Sequence, residues 1–463
     1  MRKTSLVVFV LAILVLSLSA VQAQAPVQIR WYVGLGGGTD GEQATLQQAV
    51  ADEFNASQSE IELVLEVVDN AQAYNVLNTQ IAAGNAPDIV GPMGIRGRAS
   101  FPGAWLDLTD LIETNSYDLT DFDPALVEFY HTESEGQLGI PFAVFPYFLM
   151  YNQDLFDEAD LPYPPANYGD PYIDADGVEH EWNMETATEL ARLLTVDANG
   201  NDASMEEFDN TQIVQWGLGV GYTDMRSRDT LFGAGNLVDA DGNAVIPENW
   251  RAAENWYHDA QYGDQAFHPS GAYAGSDLLA GGNWLGSGHV AMMPTHLWYM
   301  GWGTADLAAG WDLAAIPSNN GVTTAKLHAD TFGIMRFTEH PQEAFTALSY
   351  LLGEQAETLA TIYGGMPARL SLQPTFFERF TATLQEQYPN TNFDINWDVA
   401  VQALAYPDVP NHEEGMPGFL EATDRYAQYL QVVDNNADAD VNAELDLLQA
   451  DLQAIFDAAS AGS

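Results

Sequence analysis

The stretch at 74–111, YNVLNTQIAAGNAPDIVGPMGIRGRASFPGAWLDLTDL, constrains the fold most, because it writes helix, strand, loop and helix in a fixed order. Tyr74, Leu77 and Ile81 recur at helical spacing, Gly84 and Asn85 stop that helix, and Pro87 forces an extended restart. Asp88, Ile89 and Val90 then form a buried strand, which Gly91 and Pro92 end in an open loop. A second helix begins in the run Leu106, Asp107, Leu108, Thr109. Helix and strand alternating in this way belong to an α/β protein. In an open α/β sheet the ligand sits beyond the carboxyl ends of the strands, so loop 92–98, with Met93 and Arg96, is expected to wall a pocket; an ordinary αβ unit without a site is the alternative.

The same alternation continues on either side. Ile29 to Val33 is a strand of bulky residues running into Gly34, Leu35, Gly36, Gly37, Gly38, Thr39 and Asp40; a helix with Leu46, Val50 and Phe54 on one face follows, then a strand at 61–67. A glycine cluster at a strand-to-helix junction invites a phosphate-loop reading, which fails here. No Lys-Ser or Lys-Thr follows Gly38, the GxGxxG register is missing, and Asp40 would repel a phosphate. Exposed backbone N–H groups beside acceptors on Thr39 and Asp40 suit the hydroxyls of a neutral polyol, and either side chain can also cap the helix.

Segment 137–152 is an apolar run broken by Pro141 and Pro146 and reads as a buried strand; in its middle lie Phe145 and Tyr147. Residues 160–212 are loop-rich and acidic. There Asp197, Asn199 and Asn201 offer oxygens on alternate residues, a weak candidate for structural calcium, although glycine falls at the fourth position and Phe208 at the twelfth, outside the EF-hand frame. An ordinary Asn-Gly turn explains the same residues. A strand from Gly217 leads to Tyr222 and Asp224, which face the candidate crevice. A short strand at 289–293 is followed by Trp298, Tyr299 and Trp302; aromatic faces stack on the C–H faces of a pyranose with little entropy loss, so Trp298 and Trp302 are candidate sugar platforms, with core packing as the alternative. Residues 328–334, with Asp330 as a candidate ligand contact, precede a strand and an amphipathic helix from Pro341 to Leu359. The Arg369 fork suits vicinal hydroxyls or a carboxylate partner. Val441, Leu445, Leu448, Leu452 and Ile455 span fewer than three heptads, which favours a helix packed within the chain over a coiled coil.

Taken in order, IAAGNAPDIV with WLDLTDLI, QLGIPF with FLMYNQDLF, WLGSGHVAMM, HPQEAFTALSYLL and GGMPARL resemble the family 1 extracellular solute-binding proteins of ABC importers, the group that includes maltose-binding protein. The resemblance implies an α/β, two-lobed periplasmic-binding-protein fold of type II, each lobe a helix-flanked sheet, with three hinge crossings near 137–152, 313–317 and 364–370. It divides the chain into an N-lobe, 26–144 plus 314–364, and a C-lobe, 145–313 plus 365–463. It carries cleft roles onto Thr39, Asp40, Tyr147 and Trp298, and places Phe145 beside Tyr147 at the cleft floor, with core packing the favoured reading for Phe145. The implied function is capture of a neutral mono- or oligosaccharide, with no catalysis and no cofactor. The implied partners are permease transmembrane subunits and their ATPase, served by a monomer. An exported glycoside hydrolase, or a binder of peptide or of glycerol phosphate, is the rival reading.

Residues 1–23 have a basic start (Arg2, Lys3), an apolar core and a small-residue end at Ala23, the pattern of a cleaved secretory signal peptide; an uncleaved anchor is the alternative. The chain has no cysteine, which excludes disulfides, thiolate metal sites and a lipidated anchor cysteine, so a secreted or periplasmic protein is expected. Removal of 1–23 lowers the basic residues from 14 to 12 against 66 acidic ones and moves the net charge from −52 to −54. Such a field repels nucleic acid and anionic lipid. Screening of that self-repulsion predicts a melting temperature that rises between dilute buffer and molar salt; a thermal melt at both concentrations checks this.

Overall fold

The computed structural model describes residues 25–132, 135–220, 228–301, 310–387, 389, 394–408 and 416–462. The expected signal peptide lies outside them. Along the chain the strands are β1 (Val27–Val33), β2 (Ile61–Val67), β3 (Ile89–Met93), β4 (His131–Thr132), β5 (Gly136–Gln137), β6 (Ile140–Phe145), β7 (Tyr147–Asn152), β8 (Tyr172–Ile173), β9 (Glu179–His180), β10 (Val196–Asp197), β11 (Ile213–Leu218), β12 (Val290–His296), β13 (Trp311–Ala314), β14 (His328–Ile334) and β15 (Met366–Pro367). They form a six-stranded sheet in the order β15-β6-β14-β3-β1-β2 and a five-stranded sheet in the order β10-β11-β12-β7-β13, besides two small hairpins. In the first sheet β1 pairs in parallel with β2 and β3, and the other pairings are antiparallel.

The β1 strand is buried on both faces at Ile29, Trp31, Tyr32 and Val33, which is why it reads as a continuous apolar run. The helix Gly41–Ser57 starts at Asp40, whose carboxylate accepts from the N–H groups of Glu42 and Gln43. It buries Gln47, Val50, Ala51 and Phe54. Leu46, placed on the same face by its spacing, is exposed: steps of four residues advance about 400°, so the face drifts and Leu46 leaves the buried stripe.

The expected break after Val90 does not occur. β3 runs on through a cis Gly91-Pro92 peptide to Met93, and residues 95–99 are a short helix, Ile95–Ala99, where an open loop was expected. The missing N–H of Pro92 is tolerated because the partner strand β14 carries an irregularity between Thr331 and Gly333, so the ladder is already interrupted opposite the proline.

The apolar run 137–152 divides at Pro146. Its first half, β6, pairs with β14 and β15, and its second half, β7, pairs with β12 and β13. The chain therefore passes from one sheet to the other within a single residue. It returns between β13 and β14, and β15 joins the first sheet through Val144 and Ala143. The tail helix Val441–Gly462 buries Leu445, Leu448 and Leu452 against Trp250, Tyr426 and Tyr429, so it packs within the chain as expected. Among the described residues, no helix is long and apolar enough to cross a membrane.

On the return segment Lys326 is fully buried and its Nζ lies 3.3 Å from Asp408 Oδ2, itself buried; Asp408 Oδ1 accepts from the Leu327 N–H. Removing one partner leaves a desolvated charge. Lys326→Met is predicted to cost roughly 3–5 kcal/mol of stability, and the double replacement Lys326→Met with Asp408→Leu to recover most of it; denaturant unfolding of the three variants measures both.

Candidate functional site

A cavity of about 430 Å³ opens where the loop after β1 meets the end of β6, the turn after β12 and the start of β14. Its deepest acid is Asp330. The carboxylate sits between two glycines: a Cβ on Gly36 would stand 3.4 Å from Oδ2, and one on Gly94 would stand 3.2 Å from Oδ1. A Cβ at Gly94 would press on the carboxylate, while one at Gly36 would first meet the Pro92 carbonyl at 2.9 Å. No described residue gives Asp330 a hydrogen bond or an ion pair, and burial raises its pKa to about 7. It is only half-buried by surface area because one face looks into the cavity, while protein surrounds the others. Burial, and then the Asp330 charge, push the phenols of Tyr130 and Tyr363 well above their ordinary range, so both stay neutral. Their buried hydroxyls have no partner among the described residues.

Aromatic rings wall the other sides. Trp298 lies in the 3-10 turn Leu297–Gly301, half-buried and parallel to His296, with ring centroids 5.7 Å apart at 14°. His296 is held in turn by Tyr147 at 4.5 Å and His328 at 4.3 Å. Phe145 fills the space that Gly365 leaves, where a Cβ would meet its ring at 2.8 Å. The Gln43 amide is bonded internally: Nε2 donates to the Ile362 carbonyl at 2.8 Å and Oε1 accepts from the Gly38 N–H at 3.1 Å, tying the first loop to the helix Ala356–Tyr363. What faces the cavity is rich in acceptors and aromatic surface and contains no arginine or lysine among the described lining residues. A larger groove, about 1060 Å³, runs past Tyr74, Arg98, Trp105, Phe129 and Phe419, but none of the predicted site residues reaches it.

The model of the bacterial extracellular solute-binding protein family matches residues 37–358. The chain belongs to that family. Its fold is the two-lobed periplasmic-binding-protein fold: the ABC substrate-binding protein Lmo0181 of Listeria monocytogenes, solved with cycloalternan, superposes with a TM-score of 0.68 at 18% identity over 92% of this chain and 98% of that one. MalE of Bdellovibrio bacteriovorus, bound to maltotriose, gives 0.65 at 16% identity over 92% and 99%. UgpB of Mycobacterium tuberculosis, in complex with glycerophosphocholine, gives 0.67 at 15% identity over 94% and 99%. No curated protein matches by sequence.

In this solute-binding protein the structure brings Thr39, Asp40, Trp298 and Asp330 to one cavity. Asp40 holds both expected roles, since Oδ1 caps the helix through Glu42 and Gln43 at 3.0 and 2.9 Å while the side chain stays exposed on the rim. Four expectations are corrected. Met93 is fully buried within β3. Arg96 points outward with its guanidinium 4.9 Å over the Tyr74 ring. Tyr147 is 1% exposed and lies behind the cavity, because the change of sheet at Pro146 breaks its alternation with Phe145. Arg369 is held by Asp121 at 3.3 Å, the Tyr117 hydroxyl at 2.8 Å and the Leu352 carbonyl at 2.7 Å, so its fork holds the fold. Tyr222, Asp224 and Trp302 fall outside the described residues.

At the weak calcium candidate, Asp197 is buried. Burial raises its pKa, but hydrogen bonds from the N–H of Asn201 and Asp209, the Asn201 amide and the Asn199 N–H outweigh it and hold the carboxyl well below the usual range. Its oxygens thus face N–H donors, the opposite of a cation's needs. Among the described residues no cluster of three or more acidic or histidine side chains is arranged to hold a metal.

Sequence reasoning missed His328 and Tyr363 as lining residues, and it favoured core packing for Phe145, which lines the cavity. His328 carries a signal, since it precedes Asp330 by two residues on one strand and so shares its face.

The folded pKa of Asp330 lies above the unfolded value of about 4, so the native state binds the extra proton between about 4 and 7 and loses that stabilisation as pH rises through 7. Asp330→Asn, neutral at every pH, is predicted to raise the melting temperature of the unliganded protein at pH 8 and to leave it unchanged at pH 4; differential scanning at both pH values checks the crossover.

Proposed function

We propose that this solute-binding protein captures a mono- or oligosaccharide in the cavity around Asp330 and Trp298 and delivers it to an ABC importer. The partnership with a permease and its ATPase belongs to the family. The observation that carries the sugar reading is a half-buried indole, fixed by the His296 ring, opposite an acceptor with no internal partner. A pyranose has the matching faces: C–H surface for the ring and hydroxyl donors for the carboxylate.

Two of the structural neighbours hold oligosaccharides and one holds glycerophosphocholine. A phosphate would meet no arginine or lysine among the described lining residues, which favours the sugar. In this reading residues 1–23 direct export and are removed. The lobes, 26–144 with 314–364 and 145–313 with 365–463, close about the links where the chain changes sheet, Pro146 being the shortest.

Thermal-shift screening against mono-, di- and trisaccharides tests the proposal, which fails if no sugar raises the melting temperature while a phosphodiester or peptide does. For a sugar that binds, Trp298→Ala is predicted to weaken affinity by roughly 1–3 kcal/mol, on the scale of stacking losses elsewhere, or about tenfold to more than a hundredfold in Kd. Stability without ligand should barely move, whereas an indole serving only as core would cost roughly 3–5 kcal/mol on truncation. Calorimetric titration and unliganded melts separate the two.

A further inference from the structure

Four buried or partly buried carboxylates elsewhere in the chain are answered by a cation, and buried Asp197 is answered by four N–H donors. Glu254, 1% exposed, receives the Arg228 Nε at 2.9 Å, and Asp434 receives the Arg228 Nη1 at 3.1 Å. Asp408 has Lys326 at 3.3 Å, and Asp121 has Arg369 at 3.3 Å. With so few basic residues in the chain, each such pairing is a specific placement. Asp330 departs from the pattern. It lies in an aromatic-walled crevice, faces a cavity, and has neither ion pair nor hydrogen bond among the described residues. At the rim Asp40 uses only Oδ1 in its cap, and Oδ2 has no partner there either. The Tyr363 hydroxyl, in a side chain 5% exposed, is unpartnered beside them.

The cavity therefore offers several acceptors and two carboxylates, while its one side-chain amide, Gln43, gives one of its two N–H groups to the Ile362 carbonyl. A neutral hydroxyl supplies one hydrogen bond to an ionised carboxylate and leaves its charge uncompensated in an apolar surround. An ammonium group supplies three donors and the missing charge, and the faces of Trp298 and Tyr363 attract a cation as well. We propose that the bound sugar carries a protonated amine, an amino sugar of the glucosamine type, whose ammonium group is held by Asp330 within the aromatic wall. The acidic surface of the whole chain would draw such a ligand toward the cleft.

This rests on the carbohydrate reading above, and the test keeps the two apart. Isothermal titration at pH 7 compares β-1,4-linked glucosamine di- and trisaccharides with their N-acetylated forms and with neutral glucose oligomers of the same linkage. The expected result is binding of the amine form roughly tenfold or more tighter than either, the effect of one charge-assisted hydrogen bond. Asp330→Asn should abolish that preference while retaining binding of the sugar body. Equal or tighter binding of the neutral oligomers overturns the inference and leaves the carbohydrate reading intact. Absence of binding by the amino sugars overturns it as well. Preference for the amine that persists in Asp330→Asn, with the fold confirmed by circular dichroism, overturns the assignment of Asp330. The comparison of sugars on the unmodified protein decides the question even if the variant does not fold.

Discussion

Both sheets hang on one covalent constraint, the thirteen-residue run from Ile140 to Asn152. All of β6 and all of β7 are buried, and the only residue between them is Pro146. β6 lies between β14 and β15 in the first sheet, and β7 lies between β12 and β13 in the second. Neither sheet can be completed without the other half of this run, and neither half can shift register without moving its apolar side chains to the wrong face. The proline limits the turn to one fixed φ, while its carbonyl accepts from the Leu297 N–H at 3.1 Å and so anchors the turn that carries Trp298. The position of the aromatic wall is thus a consequence of how the chain changes sheet.

The same passage shows which features the sequence expressed and which it concealed. Order of elements was legible, because strands such as Ile61–Val67 and helices such as Gly41–Ser57 carry their own period and their own cap at Asp40. The change of sheet was legible too, since Pro141 and Pro146 interrupt an apolar run too long for one strand. Which ring would face the cavity was not. In a strand buried on both faces every residue is apolar, alternation carries no information, and Phe145 and Tyr147 are equivalent until the strands pair. Pairing sets Phe145 opposite His328 and Tyr147 opposite His296, in different sheets. Arg369 was misread for a related reason: a guanidinium announces that it needs a carboxylate, but only the fold decides that the carboxylate is Asp121 and not Asp40.

The charge imbalance explains a further regularity. Arg30 with Glu66, Arg228 with Glu254 and Asp434, Lys326 with Asp408, Arg369 with Asp121 and Arg425 with Asp451 are all partly or wholly buried pairs. Of its scarce cations the chain sets these five in partly or wholly buried pairs, while Arg96 and Arg379 stay exposed. Surface pairs add little, whereas breaking a buried one is expensive, so among these pairs removal of Arg228 or Lys326, the most buried, would cost most.

Against that economy the lone carboxylate at the join of the two lobes is informative. Asp330, the Tyr363 hydroxyl and the Tyr130 hydroxyl are desolvated by folding without receiving partners among the described residues, a cost that a ligand with hydrogen-bond donors would lower at the two that line the cavity, Asp330 and Tyr363. Gly94 leaves room for the carboxylate, since a Cβ there would press on Oδ1 at 3.2 Å, whereas a Cβ at Gly36 would meet the Pro92 carbonyl at 2.9 Å first. Such a cost persists where a ligand removes it: binding then gains both its own contacts and the relief of groups left unsatisfied in the empty state. Asp330 and Tyr363 lie in a cavity that elements of both sheets line, Trp298 following β12 of the five-stranded sheet and His328 opening β14 of the six-stranded one, so under the proposed function one ligand would touch both. Under that reading, affinity would draw on the unmet polar demand of Asp330 and Tyr363 as well as on the ligand's own contacts.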